Sequence, residues 1–239
     1  MQLAHDHTKS SLSALTLAAI GIVYGDIGTS PLYTMQEVFD HKHGLALNPE
    51  NILGIVSLIL WGLIFIVSLK YVTLVLRANN RGEGGIMALA ALTLESVGKN
   101  SKMYFPLVIL GVIGASLFYG DGVVTPAMTV LSAIEGIKVA TPALKPFVVP
   151  ITLVILICLY AVQSRGTATI GKFFGPVMVI WFAVLAAMGI YNILRVPAIL
   201  EAFNPIHALE FLYFHRWAAF IALGAVVLAF TGSEALYAD

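Results

Sequence analysis

The chain has 239 residues, 59% hydrophobic and only 11% charged, with 13 basic against 13 acidic side chains and a mean hydropathy of +0.92. Soluble domains carry about 45–50% apolar and about 25% charged residues, so a water-soluble globular core is excluded and a membrane protein is indicated. The charges are spread along loops without a basic face, which gives no reason to expect a nucleic-acid partner.

Ahead of the first span stands one lysine, Lys9, with no small-residue cleavage site, so the opening segment reads as a retained span rather than a removable signal peptide. His5 and His7 read as a solvated tail rather than as metal ligands, and no transition-metal site is expected. The first span, about 12–36, contains GIVYGDIGTSPLYT over 21–34. It is long and apolar enough to cross about 30 Å of hydrocarbon, yet it carries Asp26 near its middle, where a charge costs about 3 kcal/mol or more. Gly25 and Gly28 flank the acid and weaken the helix, and Thr29 or Ser30 followed by Pro31 is a cap-then-proline restart. Two half-helices meeting at Asp26 are therefore expected, with freed carbonyls and amides of the kind that bind ions at the membrane midplane.

Further spans are expected at about 52–77, 104–134, 147–163, 170–194 and 217–239, the last cut short by the end of the sequence. A helix ending in mid-membrane would leave carbonyls in hydrocarbon, so the chain reads as a fragment of a longer transport domain. The cytoplasmic-side assignment rests on Lys9, Arg77, Arg81, Lys99, Lys102, Arg165 and Lys172 against Lys42, Lys138, Lys145, Arg195 and Arg216, a bias that favours a cytoplasmic N-terminus. GEGGIMALAALTLESV, over 82–97, reads as a short amphipathic or re-entrant helix after a glycine turn; no GK[ST] follows, so it is not a phosphate loop. Residues 197–215 read as an outer interfacial segment. The single cysteine, Cys158, excludes an internal disulfide and reads as a packed or lipid-facing thiol.

Four ionisable residues lie at membrane depth: Asp26, Asp121, Glu234 and Asp239, while Lys70 sits nearer the cytoplasmic end of span two, where it can snorkel. With no buried cation to pair them, these acids must be protonated, hydrogen-bonded or neutralised by a bound cation. In span three Asp121, Thr125 and Thr129 fall on one helical face and would present oxygens together. Taken alone, the threonines are better read as bonding back to their own carbonyls, and Gly111, Gly114 and Gly120 as marks of close helix packing. In span six Thr231, Gly232 and Ser233 precede Glu234 and form a run that could unwind.

GIVYGDIGTSPLYT, GEGGIMAL, FYGDGVVTPAMTVLSAIEG and TGSEALYAD together resemble the Kup (KUP/HAK/KT) family of potassium uptake permeases, across essentially the whole chain. The resemblance implies an all-α polytopic membrane protein: the first part of an inverted-repeat, LeuT-like fold of the amino acid, polyamine and organocation superfamily, with helices one and six broken. It implies potassium uptake coupled to protons by alternating access, in a cell inner membrane, with no cofactor. The substrates would be a potassium ion and a proton; oligomeric state stays open, a homodimer of the full-length form among the options. Carried over by position, it puts potassium near Asp26, Tyr33, Thr125, Thr129 and Thr231, with Asp121 and Glu234 as proton-coupling acids. One departure is that several bacterial members have Glu where this chain has Asp121.

The residue chemistry accords with that implication, because potassium is well held by carbonyl and hydroxyl oxygens that replace its water shell. The rival readings are a passive cation channel and an amino-acid carrier of the same fold, whose substrate carboxylate Asp26 would repel. An enzyme is not expected: neither HExxH nor GxSxG occurs. A noncatalytic membrane scaffold would tolerate Asp26→Asn. Selection of potassium over other monovalent cations rests on the resemblance alone.

Overall fold

The structure, a computed structural model, describes residues 12–40, 45–80, 82–163 and 167–238. His5, His7, Lys9, Lys42, Arg81, Arg165 and Asp239, all used in the sequence reading, lie outside the described residues. Apart from an isolated bridge between Asn80 and Glu83, every described element is helical.

Span one is divided into α1 (Leu12–Ile22), a single turn α2 (Tyr24–Ile27) and α3 (Ser30–Val38). Span two begins as α4 (Pro49–Leu63), passes into a π-wound stretch, Ile64–Leu74, and ends in a 3₁₀ turn, Val75–Arg77. A short helix, α5 (Gly85–Val97), leads to α6 (Tyr104–Ala140), α7 (Val148–Gln163) and α8 (Thr167–Arg195). A 3₁₀ segment, Pro197–Phe203, precedes α9 (Pro205–Val227), after which the chain runs through a 3₁₀ turn, Leu228–Phe230, to α10 (Ala235–Ala238). Among the described residues five helical runs are long and apolar enough to cross a membrane: Pro49–Arg77, Tyr104–Ile137, Ala143–Val162, Phe174–Arg195 and Pro205–Tyr237. The chain is an all-α, multi-pass membrane protein.

Local sequence explains where two of these helices start. Asn48-Pro49 and Asn204-Pro205 are the same device: the asparagine Oδ1 accepts from Asn51 N at 2.8 Å and from Ile206 N at 3.1 Å, and the proline fills a position whose N–H would otherwise be orphaned. Helix α9 is not continuous, because Arg216 adopts φ 41°, ψ −102° and bends the run just where the sequence places the start of span six.

The buried core lies where α3, α4 and α9 meet, around Val38, Ile55, Phe211, Ala222, Val226 and Ala229. Small residues let α9 approach closely. Two long-range polar bonds fasten α4 to the segment before α9: Ser57 Oγ donates to the Asn204 carbonyl at 3.1 Å and Trp61 Nε1 to the Phe203 carbonyl at 3.2 Å. On the other side α1 packs on α8 through facing glycines, and a Cβ added to Gly21 would lie 2.4 Å from Gly175 N. Gly111 and Gly114 of α6 likewise receive Ala90 and Ile86 of α5, whereas Gly120 meets nothing within 4 Å, so two of the three expected packing glycines do that work. Large apolar side chains such as Phe105, Leu110 and Leu117 on α6 stay exposed, as expected of a lipid-facing surface, and Cys158 is exposed on α7.

Candidate cation site

The interruption in span one is shallow. Val23, Gly28 and Thr29 all keep right-handed helical φ/ψ, and the break consists of one tightened turn: Gly28 N keeps the ordinary helical bond to Tyr24 O at 3.0 Å, and Thr29 N donates three residues back, to Asp26 O at 2.9 Å. Thr29 is the N-cap of α3 and Pro31 sits in its first turn, but no side chain caps α3 in the expected sense. The hydroxyls point backwards: Ser30 Oγ donates to the Asp26 carbonyl at 2.7 Å and Thr29 Oγ1 to the same oxygen at 2.9 Å. The carbonyl expected to be free is therefore saturated, because hydroxyls three and four residues ahead reach it more easily than they reach the following amides. The Gly28 carbonyl is also engaged, by Trp181 Nε1 of α8 at 3.0 Å.

What span one does leave open is its charge. Both Asp26 carboxylate oxygens are buried without a hydrogen-bond partner. Tyr33, itself buried, donates its hydroxyl to Ser30 Oγ at 3.0 Å, so Tyr33, Ser30 and the Asp26 carbonyl form a chain behind that carboxylate.

Span six breaks in the opposite manner. Thr231 is extended at φ −60°, ψ 151°, and Gly232 turns left-handed at φ 82°, a region glycine enters without steric cost. Gly232 also lies against the acid of span one: a Cβ built on it would be 2.3 Å from Asp26 Oδ2. The two interruptions thus meet, carboxylate against left-handed backbone. Thr231 Oγ1 donates to the Leu228 carbonyl at 2.8 Å, which leaves the oxygen's lone pairs available.

Span three is unbroken. FYGDGVVTP resembles the span-one motif as sequence, yet α6 continues for 37 residues through Gly120, Gly122 and Pro126. Glycine alone does not open a helix in hydrocarbon, where each lost backbone bond has no water to replace it. On this rigid rod Thr125 Oγ1 donates to Asp121 Oδ1 at 2.8 Å. Thr16, Thr93 and Thr152 instead bond back to carbonyls of their own helices, at 2.7–2.8 Å. The Thr129 hydroxyl, one turn beyond Thr125, is buried and unpartnered, as is that of Thr34 on α3.

The expected site residues fall into two groups. Asp121, Thr231 and Glu234 line a cavity of about 440 Å³, with Lys70, Tyr71 and Tyr237 also on its wall. Asp26, Tyr33, Thr125 and Thr129 do not line it; Gly232 joins the groups, and Asp26 lies within electrostatic reach of Asp121 and Glu234. Asp121 and Glu234 stand across from each other. Among the described residues no three His, Cys, Asp or Glu side chains are grouped to hold a metal ion, so neutral oxygens must supply most of any coordination. The unpartnered oxygens of Asp26, Thr34 and Thr129 are carboxylate and hydroxyl oxygens, the kinds a monovalent cation takes as ligands.

One buried, unpartnered hydroxyl had no place among the expected site residues. Thr34 lies inside the quoted motif, four residues after Ser30 and on the same buried face, and that spacing was the available signal. Lys70, expected near the cytoplasmic end of span two, is exposed, and it lines the cavity that Asp121 and Glu234 share. Nothing in a run as uniform as IFIVSLKYVTL reveals that its winding changes from α to π.

Residues 13–239 match the model of the K+ potassium transporter integral membrane domain. The chain is 70% identical over 237 residues to the "Probable potassium transport system protein Kup" of Janthinobacterium sp. (strain Marseille), covering 99% of this chain and 38% of that protein. The protein of the same name from Herminiimonas arsenicoxydans gives the same identity and coverage, and that of Nitrosospira multiformis is 58% identical over 239 residues, covering 100% and 38%. The chain therefore spans 38% of the length of these curated relatives. No solved structure matches it. With the family model covering all but the first twelve residues, the chain belongs to the K+ potassium transporter family.

Proposed function

We propose that this chain is part of a potassium-uptake transporter that moves potassium with a proton by alternating access. One observation carries the reading: the buried, unpartnered Asp26 carboxylate rests against the left-handed Gly232 of the span-six break. Two interrupted helices meeting at the protein interior, one giving charge and the other backbone, make the kind of midplane ion site that broken-helix transporters use. Potassium is taken by Asp26, Tyr33, Thr125, Thr129 and Thr231, with Asp121 and Glu234 as the proton-coupling acids. Thr34 joins the cation ligands on the strength of its orphaned hydroxyl. The fold is the first part of a LeuT-like inverted repeat, placed in a cell inner membrane with its N-terminus cytoplasmic.

Relatives described as potassium transport proteins support transport over enzymatic chemistry. An amino-acid carrier is disfavoured, because a carboxylate facing the break would repel the carboxylate of its substrate. A passive channel would not need an acid pair to respond to protons. The test is rubidium uptake into liposomes holding the full-length protein: uptake should fall to background when the proton gradient is collapsed. Uptake unchanged by that treatment would leave a channel in place of a symporter.

A further inference from the structure

Lys70 is the one basic residue on the wall of the cavity that Asp121 and Glu234 share, among the described residues. It sits in the middle of the π-wound stretch Ile64–Leu74, an uncommon winding that is retained mostly at functional sites. Its Nζ lies 5.0 Å from the centre of the Tyr71 ring, and Tyr71 lines the same cavity, within electrostatic reach of Glu234. Among the described residues no carboxylate is in salt-bridge range of that ammonium. The lysine is thus held on an aromatic face, on the wall of a cavity that the two acids also line, and it pairs with neither of them. A ring face stabilises an ammonium modestly, by about 0.5–2 kcal/mol, so this position is one from which the flexible four-carbon stem can depart.

A symporter must also return empty. Cargo brings positive charge to the acids; once it has left, their negative charge faces a barrier of low dielectric, which is costly to carry across. The cavity measures about 440 Å³, and the Lys70 side chain on its wall is exposed rather than packed, so the ammonium is free to swing within it. Building on the transport reading above, we infer that Lys70 is a tethered counter-ion: its ammonium moves from the Tyr71 ring to the Asp121 and Glu234 carboxylates when cargo departs, and thereby lets the empty transporter reorient. The charge stays one throughout; only its partner changes. Lys70 is a positioning residue in this scheme and does not ligate the transported ion.

Two transport modes separate this role from a structural one. Net rubidium uptake requires return of the empty form, whereas rubidium–potassium exchange, with cation on both sides, does not. In liposomes containing the full-length protein, Lys70→Gln and the apolar Lys70→Met should each lower net uptake about tenfold or more, as expected for leaving acid charge bare in the barrier, while exchange stays within about twofold of the parent. Lys70→Arg, which keeps the charge, should retain both. A parallel fall of net uptake and exchange, or full net uptake by both neutral variants, would overturn the inference while leaving the symporter reading intact. Absence of rubidium movement by the parent protein in either mode would overturn both.

Discussion

The breaks in spans one and six look alike as sequence, each a glycine and hydroxyl run beside an acid, yet they are built differently. Span one keeps helical dihedrals and saturates its exposed carbonyl with Thr29 and Ser30, so that what it presents is the Asp26 carboxylate. Span six gives up helical geometry at Thr231 and Gly232, although its hydroxyls also bond back, Thr231 Oγ1 to the Leu228 carbonyl and Ser233 Oγ to the Phe230 carbonyl. The difference lies in the residue at the turn: Gly232 enters the left-handed region without steric cost, whereas span one passes through Gly28 and Thr29 in right-handed turns.

Breaking this arrangement at the point where the two meet should have the largest effect. Gly232→Val puts a branched side chain at φ 82° and drives its Cβ into Asp26 Oδ2, so the full-length protein should lose rubidium uptake by about a hundredfold or more, with a lowered thermal-unfolding midpoint. Uptake near the parent level would show that the breaks do not touch in the working protein.

Removing the charge while keeping the shape comes next. Asp26→Asn and Glu234→Gln should each abolish rescue of a potassium-uptake-deficient cell at low external potassium, and the Asn variant should remain as stable as the parent, since its carboxylate gives up no hydrogen bond. Normal growth of either would remove that acid from the site.

The hydroxyls sharpen the comparison further. Thr129→Val should raise the half-saturation for rubidium about fivefold to tenfold, about 1–1.4 kcal/mol, because its oxygen has no other partner. Thr93→Val, whose hydroxyl serves its own helix, should leave it unchanged. Tyr33→Phe and Thr231→Ala should weaken apparent affinity by a smaller factor, about threefold, since each removes one neutral ligand already hydrogen-bonded elsewhere.

The smallest effect tests the saturated carbonyl. Ser30→Ala removes one of the hydroxyls on the Asp26 carbonyl and the acceptor of the Tyr33 hydroxyl, and should cost about 1–3 kcal/mol of stability, read as a fall in the unfolding midpoint with uptake largely retained. Loss of uptake would mean that this carbonyl, and not only the carboxylate, serves the ion.

Several features were legible before any coordinates. An acid at the centre of GIVYGDIGTSPLYT marks span one, because a carboxylate is costly in hydrocarbon and is rare there without a partner. The stacking of Asp121 and Thr125 follows from helical spacing alone and is seen as a 2.8 Å bond. The short helix after the GEGG turn was likewise readable from its glycines and apolar run. The direction in which hydroxyls bond was not, since Thr29 and Ser30 can serve either the preceding carbonyl or the following amides, and only the local turn geometry chooses. Nor was the different fate of similar glycine runs, unwound in span six and helical in span three.

The sequence by itself determined that the chain is a bundle of apolar helices carrying a few acids at membrane depth, because periodicity, span length and the cost of a buried charge are local quantities. Tertiary structure alone decided that Asp26 rests on Gly232, that Thr34 and Thr129 are left without partners, and that Lys70 shares a cavity with Asp121 and Glu234. Those are relations between residues far apart in the chain, fixed by which helix faces pack together, and no single segment carries that information.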